Sequence, residues 1–324
     1  MNDTLGQALA AARLAAVDTR ALLRYMLDVS DAYLIAHSSQ VLTDAQSELY
    51  AALVARRSAG EPVAYIVGAR EFFSLEFRVT PAVLIPRPET ETLVEFALER
   101  IASDRKQQVL DLGTGSGCVA ISIAKQRPRA RVVAVDRSAA ALAVARENAQ
   151  RLLNASLGTP SPLTGEGWDG GEALPQFDGV TPTLALPHQG GGNSHVSFVL
   201  SDWFDALAGQ RFDLIVANPP YVADRDPHLA QGDLRFEPRA ALAGGADGLA
   251  CIRLIIASAP QYLNDGGWLA FEHGYDQAAR CRKLLAAAGF REVFSRADLA
   301  GIERVSGGLW YGRLGMAGLD ASGS

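Results

Sequence analysis

The sequence predicts an α/β protein, a parallel sheet with helices on both faces, preceded by a small helical unit. Three observations carry this. Residues 1 to 70 place apolar side chains at helical spacing, and residues 71 to 85 switch to alternation at period two. From about residue 86 strands and helices then alternate to the end, the signature of βαβ units. A length of 324 residues with 48% hydrophobic content is enough for two domains and a sizeable core.

In the first unit Leu5, Leu9 and Leu14, then Ala21, Leu22, Tyr25, Met26 and Ile35, recur at helical intervals. Asp18 and Asp44 are expected to cap the helices that follow them, and Gly60-Glu61-Pro62 breaks the last one. In EFFSLEFRVTPAV, Phe73, Leu75, Phe77 and Val79 alternate with Ser74, Glu76 and Arg78, which predicts a linking hairpin over 71 to 85. The third unit, 86 to 315, opens with a helix from Leu93 to Ile101, the strand QVLDLG, a helix from Cys118 to Gln126, the strand ARVVAVD and a helix from Ala139 to Leu153. It continues with strands SFVLSD and FDLIVA, a helix from Ala246 to Tyr262, the strand GGWLAFEH, a helix from Tyr275 to Ala288 and a β-rich end. Residues 316 to 324 are expected to be a disordered tail.

One stretch breaks the rhythm. Residues 155 to 193 hold nine glycines and five prolines in 39 positions, with no Lys or Arg, the composition of a low-complexity insertion in a helix-to-strand loop. Loop closure grows only logarithmically with length, so such an insertion costs little.

The formal net charge of −6 disfavours a protein that grips nucleic acid by its phosphates. Cys118, Cys251 and Cys281 are odd in number and far apart, so they form neither a disulfide framework nor a zinc pattern, which suits a reducing, cytoplasmic compartment. His37, His188, His195, His228 and His273 show no metal spacing, and no metal is expected. The N-terminus has Asp3 where a signal peptide needs positive charge, and no run reaches the length of a membrane span.

The chemistry sits at strand ends. Gly113-Thr114-Gly115-Ser116-Gly117 turns from a strand into a helix, where glycines allow positive φ and close backbone approach to a ligand. Its third glycine comes one residue early for the dinucleotide fingerprint. Asp111, just before the turn, points to a ligand with a cationic amino group, as S-adenosylmethionine has. Asp136 ends the next strand, the place of the acidic residue that accepts ribose hydroxyls in nucleotide-binding α/β folds. Trp203 follows a third strand and is placed to stack on adenine.

After FDLIVA comes Asn218-Pro219-Pro220-Tyr221. The prolines fix φ and remove two N–H donors, so the Asn218 side-chain oxygen and the Pro219 carbonyl can accept both hydrogens of a planar NH2 group while Tyr221 packs on it. Aiming nitrogen density at a sulfonium methyl needs position and electrostatics, with no covalent nucleophile. No G-x-S-x-G elbow occurs, which argues against hydrolysis.

These residues bring the chain to a known family. GEPVAYIVGAREFFSLEFRV, VLIPRPETE from Val83, DLGTGSG, SDWF, NPPY, DPHLAQGDLRFEPRAALAGGADGL and FEHG from Phe271 resemble the peptide chain release factor glutamine methyltransferases, the HemK/PrmC family. The resemblance spans all but the insertion and about the last ten residues. It implies a Rossmann-like S-adenosylmethionine-dependent methyltransferase domain behind an N-terminal helical bundle that helps hold the release factor. It also implies methylation of the side-chain amide of the glutamine in the GGQ motif of bacterial class 1 release factors. By motif, Gly113 to Gly117, Asp136, Trp203 and Asn218 are similar to the family's cofactor contacts, and Asn218, Pro219, Pro220 and Tyr221 to its glutamine pocket. A monomer without stable nucleic-acid or membrane binding is expected; the competing reading is a DNA or RNA exocyclic-amino methyltransferase, since NPPY fits those enzymes too.

Excising residues 155 to 193 is expected to leave methyl transfer intact, checked by comparing rates of the full and shortened chains. A shortened chain that folds but is inactive would overturn the reading of this stretch as a passenger.

Overall fold

The structure, a computed structural model, describes residues 3–11, 13–154 and 195–312. The insertion expected at 155 to 193 and the tail at 316 to 324 lie outside the described residues.

Five helices form the N-terminal bundle: α1 (Leu5–Ala11), α2 (Ala16–Leu27), α3 (Asp31–Ala36), α4 (Asp44–Ser58) and α5 (Val63–Val67). Leu5, Leu22, Leu23, Leu34, Leu42, Leu53 and Ile66 meet in its core. The caps differ from expectation. Thr43 occupies the position before α4 and forms a capping box with Gln46, so Asp44 lies inside the first turn. Asp18 is three residues inside α2, whose cap Ala15 has no side-chain acceptor, and it receives Arg57 Nε at 2.7 Å instead. A capping side chain must precede the first helical residue, and neither aspartate does.

The hairpin begins two residues earlier than expected and ends sooner, as β1 (Ala69–Phe72) and β2 (Leu75–Arg78). Phe72 pairs with Leu75 across a two-residue turn in which Phe73 and Ser74 both have positive φ, 50° and 59°. That geometry matches the twist of the strands and normally selects Asn or Gly. Here Phe73 packs on the main core and its N–H donates to Glu91 Oε1 at 2.8 Å, which offsets the strain.

The third unit contains α6 (Glu91–Arg100), β3 (Gln108–Leu112), α7 (Cys118–Gln126), β4 (Arg131–Asp136), α8 (Ala139–Asn154), β5 (Val196–Leu200), β6 (Phe212–Ala217), α9 (Arg239–Leu242), α10 (Ala250–Ser258), β7 (Leu263–Glu272), α11 (Ala278–Ala287), β8 (Arg291–Ala297) and β9 (Glu303–Trp310). The seven strands stand in the order β5-β4-β3-β6-β7-β9-β8. Those from β5 to β7 pair in parallel, and β9 is antiparallel to both neighbours. Successive residues of β3 serve opposite faces: Val109 joins Phe96, Ile121 and Val132, while Leu110 and Leu112 join Ile215, Ile252, Ile255 and Leu285.

Two predicted helices start late. Gly245 and Gly248 adopt positive φ, which holds the chain out of helix until α10 begins at Ala250. The Gln277 side chain accepts from Gly274 N at 2.9 Å, closing a loop where the periodicity had placed the first turn of α11. The strand expected to reach Asp202 leaves the ladder at Leu200, so Asp202 and Trp203 belong to a loop.

Hairpin and sheet domain are tied by one side chain. Asn148, fully buried on α8, accepts from Arg78 N at 2.8 Å and donates to Arg78 O at 3.0 Å and to Ser116 O at 2.9 Å. Its loss leaves backbone groups of β2 and of the glycine-rich turn without partners, at about 1–3 kcal/mol for each one that stays dry. Asn148→Ala is expected to destabilise the fold by about 2–3 kcal/mol in urea unfolding; a change within about 0.5 kcal/mol, typical of surface sites, would deny it this role.

Candidate active site

Strands β3 and β6 are neighbours, yet β3 is followed by a chain that moves to one side of the sheet and β6 by a chain that moves to the other. A crevice opens at their carboxyl ends, where ligands bind in open α/β sheets. A cavity of about 420 Å³ occupies it, within the range of small-molecule sites.

The glycine-rich turn forms one wall. Gly113 N and Thr114 N both donate to Val135 O on β4 at 2.9 Å, and Gly117 N donates to Thr114 O at 2.8 Å. Gly113, Gly115 and Gly117 all have positive φ. At Gly117 a Cβ would stand 2.8 Å from Ile121 and 3.2 Å from Ala145, so glycine here lets α7 and α8 close up. At Gly115 a Cβ would meet nothing, which leaves bare backbone facing the cavity. Thr114 and Ser116 also line it.

Two carboxylates frame this wall. Asp111 is 1% exposed; its Oδ2 accepts Thr114 Oγ1 at 2.6 Å and Ala120 N at 3.2 Å. Burial pushes its pKa up to about 7 despite those donors, with the charge of Asp136 adding to the rise. Such a carboxylate is completed by a cation. Asp136 is held by Gly115 N on Oδ2 at 2.9 Å and Ser138 N on Oδ1 at 2.8 Å, and each oxygen keeps a lone pair for hydroxyl donors.

Trp203 stands across from Gly113, with a ring carbon 3.9 Å from where a Cβ on that glycine would be. Its φ of 47° is a left-handed conformation that costs a non-glycine residue about 1–2 kcal/mol. Ser201 holds it there, its Oγ donating to Trp203 O at 3.1 Å and accepting from Ala206 N at 3.0 Å. Asp202 shares the same wall.

Asn218 and Pro220 face the cavity from the far side. Asn218 Nδ2 donates to Thr90 Oγ1 at 3.0 Å, which orients the amide by its nitrogen. The turn is pinned from behind: a Cβ on Gly244 would lie 2.4 Å from Pro220 O, and one on Gly248 2.2 Å from Tyr221 O. Pro219 and Tyr221 are not among the lining residues. The Tyr221 phenol, expected to pack on the acceptor group, instead donates to Glu272 Oε1 at 3.0 Å, and burial raises its pKa well above the ordinary value.

The roof comes from Ala82 to Arg87 and from Pro238 to Ala243. Glu237, its side chain fully buried, joins them: it accepts Ile85 N at 3.0 Å and pairs with Arg87. Thr90, Glu237 and Glu272 carry no standalone sequence signal. All three lie inside strings that carried the family resemblance, yet only three-dimensional contact gives each of them a place in the site. Among the described residues no cluster of three His, Cys, Asp or Glu is arranged to hold a metal, and no helix is long and apolar enough to cross a membrane.

Residues 4–68 match the model of the PrmC N-terminal domain, and residues 90–157 that of the methyltransferase small domain. The chain is 51% identical to the release factor glutamine methyltransferase of Burkholderia pseudomallei, over 94% of this chain and 95% of that one. It is 46% identical to the enzyme of the same description from Bordetella pertussis, over 90% and 94%. Among solved structures, the hMettl16 catalytic domain in complex with an RNA hairpin aligns with a TM-score of 0.50 at 14% identity, over 84% of each chain, a likeness of fold alone. Sequence, bundle, hairpin and methyltransferase sheet agree, and the chain belongs to the release factor glutamine methyltransferase family.

Proposed function

We propose that this protein transfers a methyl group from S-adenosylmethionine to the side-chain amide nitrogen of the GGQ glutamine of class 1 release factors. The observation that carries the reading is Asn218 at the cavity wall with its nitrogen engaged by Thr90, which leaves its oxygen as an acceptor for a substrate NH2. Likeness to release factor glutamine methyltransferases over more than nine-tenths of the chain supplies the acceptor's identity. The alternative of nucleic-acid acceptors has no observation in its favour beyond the shared NPPY motif. A monomer working in the cytoplasm, where release factors meet the ribosome, completes the proposal.

The residues present fit the cofactor. Bare backbone at Gly115 admits it, Asp136 offers carboxylate oxygens to a ribose diol, Trp203 and Asp202 flank the place of the adenine, and buried Asp111 suits an ammonium. When bound, it would supply a methyl group on a sulfonium, with a neutral thioether as the leaving group. An amide nitrogen is a poor nucleophile because its lone pair is shared with the carbonyl. Acceptors on both of its hydrogens, Asn218 Oδ1 and the Pro219 carbonyl in this reading, return density to nitrogen and fix its direction. The nitrogen sheds one proton after transfer.

Incubating unmethylated release factor with the protein and S-adenosylmethionine should add one methyl mass to the GGQ peptide by mass spectrometry. Asn218→Ala should cut that rate about 10²–10³-fold while cofactor affinity stays within about threefold by titration calorimetry. An unchanged rate would remove Asn218 from the chemistry, and no methyl on the glutamine from the unaltered chain would remove the reading.

Cofactor affinity should depend on pH through Asp111. Its raised pKa of about 7 means the free site is protonated below neutrality, and an ammonium ligand demands the ionised form. Binding must then expel a proton, so affinity falls with falling pH and levels off above about 7. The expected Kd at pH 6 is roughly five- to tenfold weaker than at pH 7.5, and Asp111→Asn should bind more weakly with a flatter profile. A pH-independent Kd for the unaltered chain would contradict this.

A further inference from the structure

Glu272, the last residue of β7, is 1% exposed and lies behind the cavity, with no surface on it. Its Oε1 accepts the Tyr221 hydroxyl at 3.0 Å, while its Oε2 is buried and has no hydrogen-bond partner among the described residues. Thr90 lies near enough to this carboxylate for its hydroxyl to favour the ionised form, while no hydrogen bond between the two is formed in this structure. Thr90 Oγ1 is also the atom that accepts Asn218 Nδ2 at 3.0 Å. One end of the 218–221 turn is thus bonded to the carboxylate through Tyr221, and the other is bonded to Thr90, whose hydroxyl acts only as an acceptor and leaves its proton for the unpartnered Oε2.

We propose that Glu272 is a positioning residue that sets the polarity of the Asn218 amide, so that its oxygen and not its NH2 faces the substrate. The proposal rests on the methyltransferase reading above and deepens it.

A threonine hydroxyl has one proton to give. An ionised carboxylate only accepts, so it draws the Thr90 proton toward itself and turns an oxygen lone pair toward Asn218. The amide then offers its nitrogen to Thr90 and its oxygen to the cavity. A donor at position 272, whether a protonated carboxyl or a glutamine amide, can direct a hydrogen at Thr90 Oγ1 and send the Thr90 proton toward Asn218. That reverses the amide and presents an NH2 group to the NH2 of the acceptor, two donors facing each other. The polarity of a buried chain of hydrogen bonds is set by the member that cannot donate, and in low dielectric the wrong polarity is costly.

The charge balance around Glu272 places this choice near neutrality. Burial raises its pKa to about 7, with Glu89 before α6 adding to the rise, while Thr90, Tyr221 and Arg304 on β9 oppose it. Cys118 at the start of α7 feels the carboxylate's charge, and its thiol is pushed up to about 12 chiefly by its own burial. The oxygen-out state therefore belongs to the alkaline side, and turnover with release factor falls as pH drops through about 7.

The test is steady-state kinetics of the full chain with release factor and S-adenosylmethionine between pH 6 and 9. Glu272→Gln, which keeps shape and removes charge, should lower kcat about tenfold or more with KM for release factor within about threefold, and should abolish the acid limb of kcat. Thr90→Val interrupts the same chain by another route and covers the case in which Glu272→Gln does not fold. The double variant should be no worse than the poorer single one, because both break one path. Wild-type kcat in Glu272→Gln, an acid limb that persists in it, or losses that multiply in the double variant would each overturn the proposal. Failure of the unaltered chain to methylate release factor would overturn the methyltransferase reading itself and this inference with it, a result distinct from the others.

Discussion

Two adjacent parallel strands whose continuations must part to opposite faces of the sheet leave a gap that no regular element can fill. The rest of this molecule is arranged around that gap between β3 and β6. The chain leaving β3 must turn within a few residues and start a helix, which calls for positive φ at Gly113, Gly115 and Gly117. The chain leaving β6 must stand at the gap without collapsing into it, which two prolines and the close backing of Gly244 and Gly248 enforce. Both loops are tied back to the sheet by polar contacts, Asp111 to the base of the first and Glu272 to the end of the second. The two buried carboxylates at the site are also the ones that hold its loops.

Where the sequence was legible, a single residue type met a single geometric need. The glycine turn, the proline pair and the alternation of strands and helices follow from local rules, and the elements appear where those rules put them, apart from a shifted and shorter hairpin, late helix starts and an early strand end. The failures have two causes, one local and one long-range. Asp18 and Asp44 look like caps by composition, but capping depends on which residue stands just outside the helix, and Thr43 with its Gln46 partner takes that place at α4. The direction of Tyr221 depends on Glu272, 51 residues further on, and the left-handed Trp203 sits in a turn whose Ser201 hydroxyl bridges Trp203 O and Ala206 N. Thr90 is 128 residues from the asparagine it orients. Periodicity and spacing see neighbours along the chain, and the contacts of Tyr221 with Glu272 and of Asn218 with Thr90 join residues far apart in it.

The segment from Gly232 to Ala243 belongs to neither unit alone. It begins against the bundle, where Asp233 pairs with Arg57 at 2.9 Å and Arg235 donates to Ala59 O at 2.7 Å. Phe236 then packs with Tyr65, Val83 and Ile85, Glu237 grips the chain after the hairpin, and Pro238 to Ala243 roof the cavity. Glu237 is the costly member, because a buried carboxylate left without its arginine loses about 3–5 kcal/mol. One short run of chain thus reads both the position of the bundle and the shape of the pocket.

The clamp of Asn148 on the hairpin gains a further meaning beside this second attachment. A bundle joined by a single strand of chain would be a tether, sampling many separations from the sheet. Held by the hairpin on one side and by Arg57 and Arg235 on the other, it is instead one fixed jaw of a caliper whose other jaw is the Asn218 turn. A protein substrate held at the bundle would be measured as well as bound, since the pocket would receive only a side chain at that fixed span from the point of contact.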